Sequence, residues 1–347
     1  MSEFSFISPK LLDWFDKNKR ELPWRMTQDP YKIWISEIIL QQTRVVQGMD
    51  YYLRFIQRFP TIQDLAKAEE QEVLKLWQGL GYYSRARNLH HTAQVLLNEY
   101  GGKFPEDHKA ILSLKGIGDY TAAAITSFAW NMSYPAVDGN VFRFFARLFM
   151  IDEPIDTQKG KKLFTDLVRQ AMDEKRAGDF NQGTMEFGAL QCIPQNPDCS
   201  VCPFMEHCLA YKNNSISHFP VKRGKIKTEE RYLYYFRIKQ GEYTYLIKRS
   251  GQGIWKNLFE YPMIESHEPF SFENLTQNKT FKELFSQADL DFRLIIQNKK
   301  HVLSHRVLYA SLYEVHIPMD FNIIPYYIKI KESEFEDYPV HRLMEYF

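Results

Sequence analysis

Leu114-Lys115-Gly116-Ile117-Gly118-Asp119-Tyr120-Thr121 runs directly into Ala122-Ala123-Ala124-Ile125. Two glycines one residue apart let the backbone turn tightly, and the alanine-rich stretch beyond them is a strong helix former. The pattern predicts a short turn opening onto a helix N-terminus, where unpaired N–H groups can take a phosphate oxygen. Any tight turn between two helices has the same appearance, so both readings stand at this point.

Further along the chain comes Val137-Asp138-Gly139-Asn140-Val141, with Asp138 at the start of an apolar-periodic segment, Phe142 to Leu148. An aspartate there is either a helix N-cap or a functional carboxylate. Upstream, Glu37 interrupts Ile33-Trp34-Ile35-Ser36-Glu37-Ile38-Ile39-Leu40, a stretch apolar on nearly every side. Desolvation in such a setting raises a carboxyl pKa and makes a proton donor near neutral pH, while a helix-end dipole is expected to lower that of Asp138. Two carboxyls driven apart in this way are the acid-plus-anion arrangement that cleaves a glycosidic bond. That reading requires the two to meet in space.

All four cysteines of the 347 residues, Cys192, Cys199, Cys202 and Cys208, fall in one short loop spaced C-x6-C-x2-C-x5-C. Four thiolates gathered this way make a tetrahedral zinc site or an iron–sulfur cluster, and the spacing leaves that choice open. A disulfide pair is disfavoured, because Met1 to Lys10 lacks the basic-then-apolar pattern of a secretory signal.

The length suits about two domains, and 44% hydrophobic content is ample for real cores. A formal charge of +1 announces no nucleic-acid partner, and local runs such as Arg85 to His91 and Lys222 to Lys227 read equally well as solvated faces. No apolar run is long enough for a membrane span. Residues 1–213 show helical periodicity broken at Phe59-Pro60, Gly79-Leu80-Gly81 and Gly101-Gly102. Residues 214–230 are polar and suit a linker. From 231 to 347, β-formers alternate with polar residues in Tyr232–Lys239, Tyr243–Lys248 and Val307–His316, which predicts a smaller α+β domain.

Together the hairpin (about 112–125), the aspartate twenty residues after its second glycine, and the cysteine loop (192–208) resemble the endonuclease III superfamily of helix–hairpin–helix DNA glycosylases. Leu22-Pro23-Trp24-Arg25, Ser36–Thr43, Trp77–Arg87 and Phe180-Asn181-Gln182-Gly183 narrow the likeness to its MutY branch, the adenine DNA glycosylases. The resemblance implies a multidomain fold: an all-α glycosylase domain whose four cysteines hold a [4Fe-4S] cluster, followed by a C-terminal Nudix-like domain. It also implies a monomer acting in base excision repair, in the bacterial cytoplasm at the nucleoid. Its partner is double-stranded DNA carrying adenine opposite 8-oxoguanine or guanine, with repair or replication proteins met through the linker.

By the same resemblance Glu37 protonates adenine, Asp138 stabilises or traps the oxocarbenium-like sugar, and Tyr120 and Asn140 support that site. Lyase members carry lysine where this chain has Tyr120, and the Schiff base needs that amine, so a monofunctional glycosylase is implied. Trp24, Arg25, Gln182 and Glu186 would wall the adenine pocket. Gly116 and Gly118 would meet DNA, and Gln42, Leu80 and Tyr82 would fill the opposite strand. His301-Val302-Leu303-Ser304-His305 matches the 8-oxoguanine-sensing loop, usually H-x-F-S-H, so Leu303 puts any stacking there in doubt while Ser304 and His305 are retained. The glutamates that bind magnesium in Nudix hydrolases are missing between Gly253 and Glu273, which disfavours a nucleotide-diphosphate hydrolase. Tyr120 argues against an endonuclease III-like lyase on oxidised pyrimidines. The presence of both Glu37 and Asp138 argues against a non-catalytic, cluster-bearing DNA-binding protein, which would require neither carboxylate.

Overall fold

In the computed structural model the described residues are 4–224, 228–251, 253–285, 290–323 and 326–347. They divide into two compact units, Met1–Lys67 with Asn88–Gly224 and Ala68–Arg87 with Lys225–Phe347. Among the described residues no helix is long and apolar enough to cross a membrane.

The first unit is helical. Asp29 caps the helix Pro30–Leu40 by accepting from the Tyr31 N–H, with proline at the first turn. This helix is buried from Ile33 through Ile39, Glu37 included, as expected of a helix apolar all round. The helix Asp119–Trp130 is likewise buried from Thr121 to Ser127. Pro30–Leu40 packs on Asp119–Trp130, which packs on the helix Ala177–Leu190, which in turn meets the helix Gly139–Phe149. That succession brings the Glu37, Tyr120, Glu186 and Asp138 segments around one centre. Behind it, Phe145, Phe164, Phe180 and Phe187 are fully buried, each stabilising the fold by about 1.5–3 kcal/mol relative to exposure.

The glycine turn forms as its sequence predicts. Gly116 has φ +82°, and a Cβ there would lie 2.7 Å from the Asn88 Cβ. Gly118, in extended backbone, is the N-cap of Asp119–Trp130. Thr92 Oγ1 donates to the Lys115 carbonyl at 2.8 Å and ties the turn to the helix Ser84–Glu99.

The second unit is built on a sheet of β1 (Glu229–Gln240), β2 (Tyr243–Lys248), β3 (Phe259–Glu260), β4 (Met263–Ser266), β5 (Phe292–Val302), β6 (Arg306–His316) and β7 (Ile328–Lys331). Its main path is β3-β2-β1-β6-β5, with β4 on β1 and β7 on β2. β1 and β6 are parallel from Glu229↔Arg306 to Lys239↔His316, and the three strand segments read from sequence are strands. β1 alternates as a strand buried on both faces must. Tyr234, Phe236 and Ile238 pack with the helices Phe272–Gln277 and Lys279–Phe285, and Leu233 and Tyr235 pack with Val340, Leu343 and Met344. Within the segment expected to be a linker, Ile216–His218 forms a 3-10 turn and β1 already begins at Glu229. Lys225, Ile226 and Lys227 of the basic run lie outside the described residues.

Candidate active site

A cavity of about 540 Å³ in the helical unit is lined by Trp24, Arg25, Glu37, Gln42, Tyr120, Asp138, Asn140, Gln182 and Glu186 among others. The two carboxylates singled out from sequence therefore share one chamber. Glu37 is 7% exposed. Its Oε2 accepts from the Tyr120 hydroxyl at 2.5 Å, and the same hydroxyl lies 3.5 Å from Met185 Sδ. Burial pushes the Glu37 carboxyl up to about 7; the Tyr120 bond opposes this and the Asp138 charge adds to it. The direction is the one expected for Glu37 from its apolar surroundings in sequence.

Asp138 is the N-cap of Gly139–Phe149. Oδ1 accepts from the N–H groups of Asn140 and Val141, both at 2.9 Å, and Oδ2 accepts from Asn140 Nδ2 at 2.8 Å. The N-cap and functional readings thus coincide in one residue. The expected lowering of its pKa is overturned, however, because desolvation in the cavity wall outweighs the helix N–H groups and the Arg143 charge and raises it.

Glu186 behaves oppositely to Glu37. Arg20 donates to it through Nε at 2.8 Å and Nη2 at 2.5 Å, and Arg25 through Nη1 at 2.9 Å and Nη2 at 2.8 Å. Although burial works to raise its pKa, these bonds and charges together hold it down at about 2. Its lone pairs are committed to two arginines, so it fixes Arg25 in the wall. Arg20 was not singled out from sequence, since its partner lies 166 residues away.

Two further arginines escaped the sequence reading. Arg143 donates to Asn140 Oδ1 at 2.8 Å, to the Gly188 carbonyl at 2.6 Å and to the Cys192 carbonyl at 2.8 Å. Arg147, 2% exposed, donates to the Ile193 and Pro194 carbonyls at 2.7 and 2.8 Å. Arginines four apart in an otherwise apolar helix were the available signal, because such cations must find acceptors when buried.

Cys192, Cys199, Cys202 and Cys208 line one small cavity walled by Phe144, Phe187 and Phe204. Arg147 Nη1 is 3.5 Å from Cys192 Sγ. Burial raises the thiols of Cys199 and Cys208 and pushes Cys202 up to about 12. Among the described residues no three candidate ligands are gathered as a single metal ion requires.

Leu80, Tyr82, Leu303, Ser304 and His305 lie in the second unit. Tyr82, half exposed with φ +46°, and Leu80, buried, line a cavity of about 650 Å³ together with Leu303, Ser304 and His305. The Tyr82 and Ser304 hydroxyls are hydrogen-bonded to each other. Gln42, grouped with Tyr82 from sequence, belongs to the first unit and lines the Glu37 cavity, with φ +60°.

A model of the HhH-GPD superfamily of base excision DNA repair proteins matches residues 35–170, the span that holds Glu37, the glycine turn and Asp138. Fold and site thus define a protein of that superfamily. The adenine DNA glycosylase of Buchnera aphidicola subsp. Baizongia pistaciae is 37% identical over 304 residues, 87% of this chain and 83% of that one. The human adenine DNA glycosylase is 42% identical over 220 residues, 60% of this chain and 40% of that one. The chain belongs to the adenine DNA glycosylase family. Among solved structures, a thermostable thymine-DNA glycosylase superposes with a TM-score of 0.55 at 32% identity, over 60% of this chain and 95% of that one. An endonuclease III–DNA complex superposes with a TM-score of 0.53 at 21% identity, covering 62% and 99%, which speaks to fold alone.

Proposed function

We propose that this protein removes adenine from duplex DNA in base excision repair, by monofunctional hydrolysis of its N-glycosidic bond, where adenine lies opposite 8-oxoguanine or guanine. The observation that carries the reading is the shared chamber of Glu37, Tyr120 and Asp138. Adenine must leave the stack to reach it, which costs a few kcal/mol. Glu37, protonated up to about pH 7, gives its proton to adenine N7, and the leaving base takes the bonding pair. Asp138, once ionised, faces the cationic sugar and stabilises or captures it until water attacks. Tyr120 holds Glu37 by hydrogen bond and has no amine for a Schiff base, which counts against a lyase acting on oxidised pyrimidines. Trp24, Arg25 and Gln182 wall the base, and the clamp on Glu186 keeps Arg25 in place.

The four cysteines fit a [4Fe-4S] cluster: four thiols face one apolar cavity, and buried thiols need a cationic centre to ionise. When bound, the cluster would cross-link the loop Cys192–Cys208. The second unit serves in this reading as a Nudix-like domain in which Tyr82 and Ser304 meet 8-oxoguanine. The test is a labelled duplex with adenine opposite 8-oxoguanine, incubated and then treated or not with alkali. Strong cleavage of the adenine strand after alkali and little before it is expected. Equal cleavage without alkali overturns the monofunctional reading.

A further inference from the structure

Glu37, Tyr120 and Asp138 share their chamber with a sulfur atom. Along the helix Ala177–Leu190, Gln182, Met185, Glu186 and Ala189 all line the cavity of about 540 Å³. That spacing is one face of a helix. Gln182 and Glu186 wall the base or hold Arg25, whereas Met185 has no part in that chemistry. It is half-buried and packs against Ala123, Ala124 and Ala136, and filling a gap in this way is the ordinary use of a methionine.

Its sulfur, however, faces a hydroxyl on which the acid depends. The Tyr120 hydroxyl lies 3.5 Å from Met185 Sδ and 2.5 Å from Glu37 Oε2. A phenol has one proton to donate, and a thioether is a weak acceptor, so the carboxyl holds it. Oxidation changes that competition. The sulfur lone pair attacks one oxygen of hydrogen peroxide, the O–O bond breaks, and the departing hydroxide takes the proton of the S–OH and leaves as water. Sulfur is oxidised by two electrons, the peroxide is reduced, and an apolar side chain becomes a polar one. The new oxygen sits on the atom that already faces the hydroxyl. Access is no obstacle, because the cavity exceeds many times the roughly 30 Å³ share of a water molecule.

We infer that Met185 is an oxidation site of the active-site chamber, whose conversion to the sulfoxide by a peroxide draws the Tyr120 hydroxyl away from Glu37 and slows release of the base. The slowing rests on the adenine reading; the oxidation and the loss of the Tyr120–Glu37 bond do not. Because that bond lowers the Glu37 pKa, its loss moves the titration of Glu37 to higher pH, by at most about one unit.

The test treats full-length protein with hydrogen peroxide, quenches it with catalase and maps each methionine by mass spectrometry. Met26 and Met319, 78% and 67% exposed, are the surface references, and Met344, 1% exposed, is the protected one. Met185 should follow the first two and precede the third. As its sulfoxide accumulates, single-turnover adenine excision should fall about ten- to hundredfold against the untreated sample, and the upper limb of the pH–rate profile should move up. Met185→Leu nearly conserves volume and keeps every cysteine and the other methionines, so its loss under peroxide measures all remaining damage and should be far smaller. In Tyr120→Phe there is no hydroxyl to divert, and peroxide should leave the limb in place. The infrared carbonyl band of protonated Glu37, assigned by its absence from Glu37→Gln, follows the same titration without turnover. A protein that releases no adenine even untreated would therefore sink the adenine reading and still test this one. The inference is overturned if Met185 stays as unoxidised as Met344, if treated Met185→Leu loses as much activity as treated wild type, or if the Glu37 titration does not move.

Discussion

Glu37 and Glu186 line the same cavity, both nearly inaccessible, yet one carboxyl is pushed up to about 7 and the other held down at about 2. Burial works to raise both. What differs is the partner: the neutral hydroxyl of Tyr120 against the paired guanidiniums of Arg20 and Arg25. One wall of a chamber can therefore hold an acid ready to give its proton and an anion that never takes one. Desolvation sets the direction for an uncompensated group, and two fixed cations reverse it.

The largest effect expected from breaking this contrast is on rate. Glu37→Gln removes the transferable proton and should lower single-turnover adenine excision by about 10²–10⁴-fold, with affinity for a mismatched duplex nearly unchanged; gel-based kinetics and a filter-binding assay check the two halves. Next comes Glu186→Gln, which leaves two cations facing a neutral amide. A loss of about 3 kcal/mol is expected, at the low end for a broken buried pair because Arg20 is 35% exposed. Urea unfolding that gives a much smaller loss would show that the clamp holds Arg25 without supporting the fold.

The third prediction concerns pH. Glu37 is raised from 4.5 to about 7, so the folded state binds its proton more tightly than the unfolded chain. The resulting stability is complete below about pH 4.5 and is lost as pH rises to and through 7, a change of up to about 3 kcal/mol. Glu37→Gln should therefore gain on wild type across that window, and parallel unfolding curves would refute the shift. Activity should fall over the same upper limb as the acid deprotonates. The smallest effect sharpens the comparison. Because the Tyr120 bond lowers the Glu37 pKa, Tyr120→Phe should move the upper limb of the pH–rate profile to higher pH, by at most about one unit. A limb that moves to lower pH would mean that Tyr120 favours the protonated form.

Much of this site was legible in the sequence, for identifiable reasons. Glu37 stood out because the apolar residues around it left its carboxyl no route to water, and the Gly116 turn because only glycine tolerates its φ of +82° beside Asn88. Asp138 was legible as a position but not in its titration, since a dipole can be read from a helix start whereas desolvation depends on the chamber wall. The arginines were hidden for another reason. Arg20, Arg143 and Arg147 take their meaning from acceptors 45 to 166 residues away, and no local pattern encodes such pairings. The strands of the second unit were legible from alternation alone, but its cavity, assembled from residues as far apart as Tyr82 and Arg342, was not.

Ala68–Arg87 belongs to the sheet-bearing unit although the residues on either side of it belong to the helical one. During synthesis this segment leaves the ribosome long before β1 to β7 exist. At about 5–20 residues per second, Val73, Leu74 and Trp77, all buried in the structure, wait roughly 10–50 s for synthesis to reach Phe347. A nascent chain halted near Gly224 would lack the rest of the unit to which this segment belongs, which makes that interval the time of greatest chaperone demand.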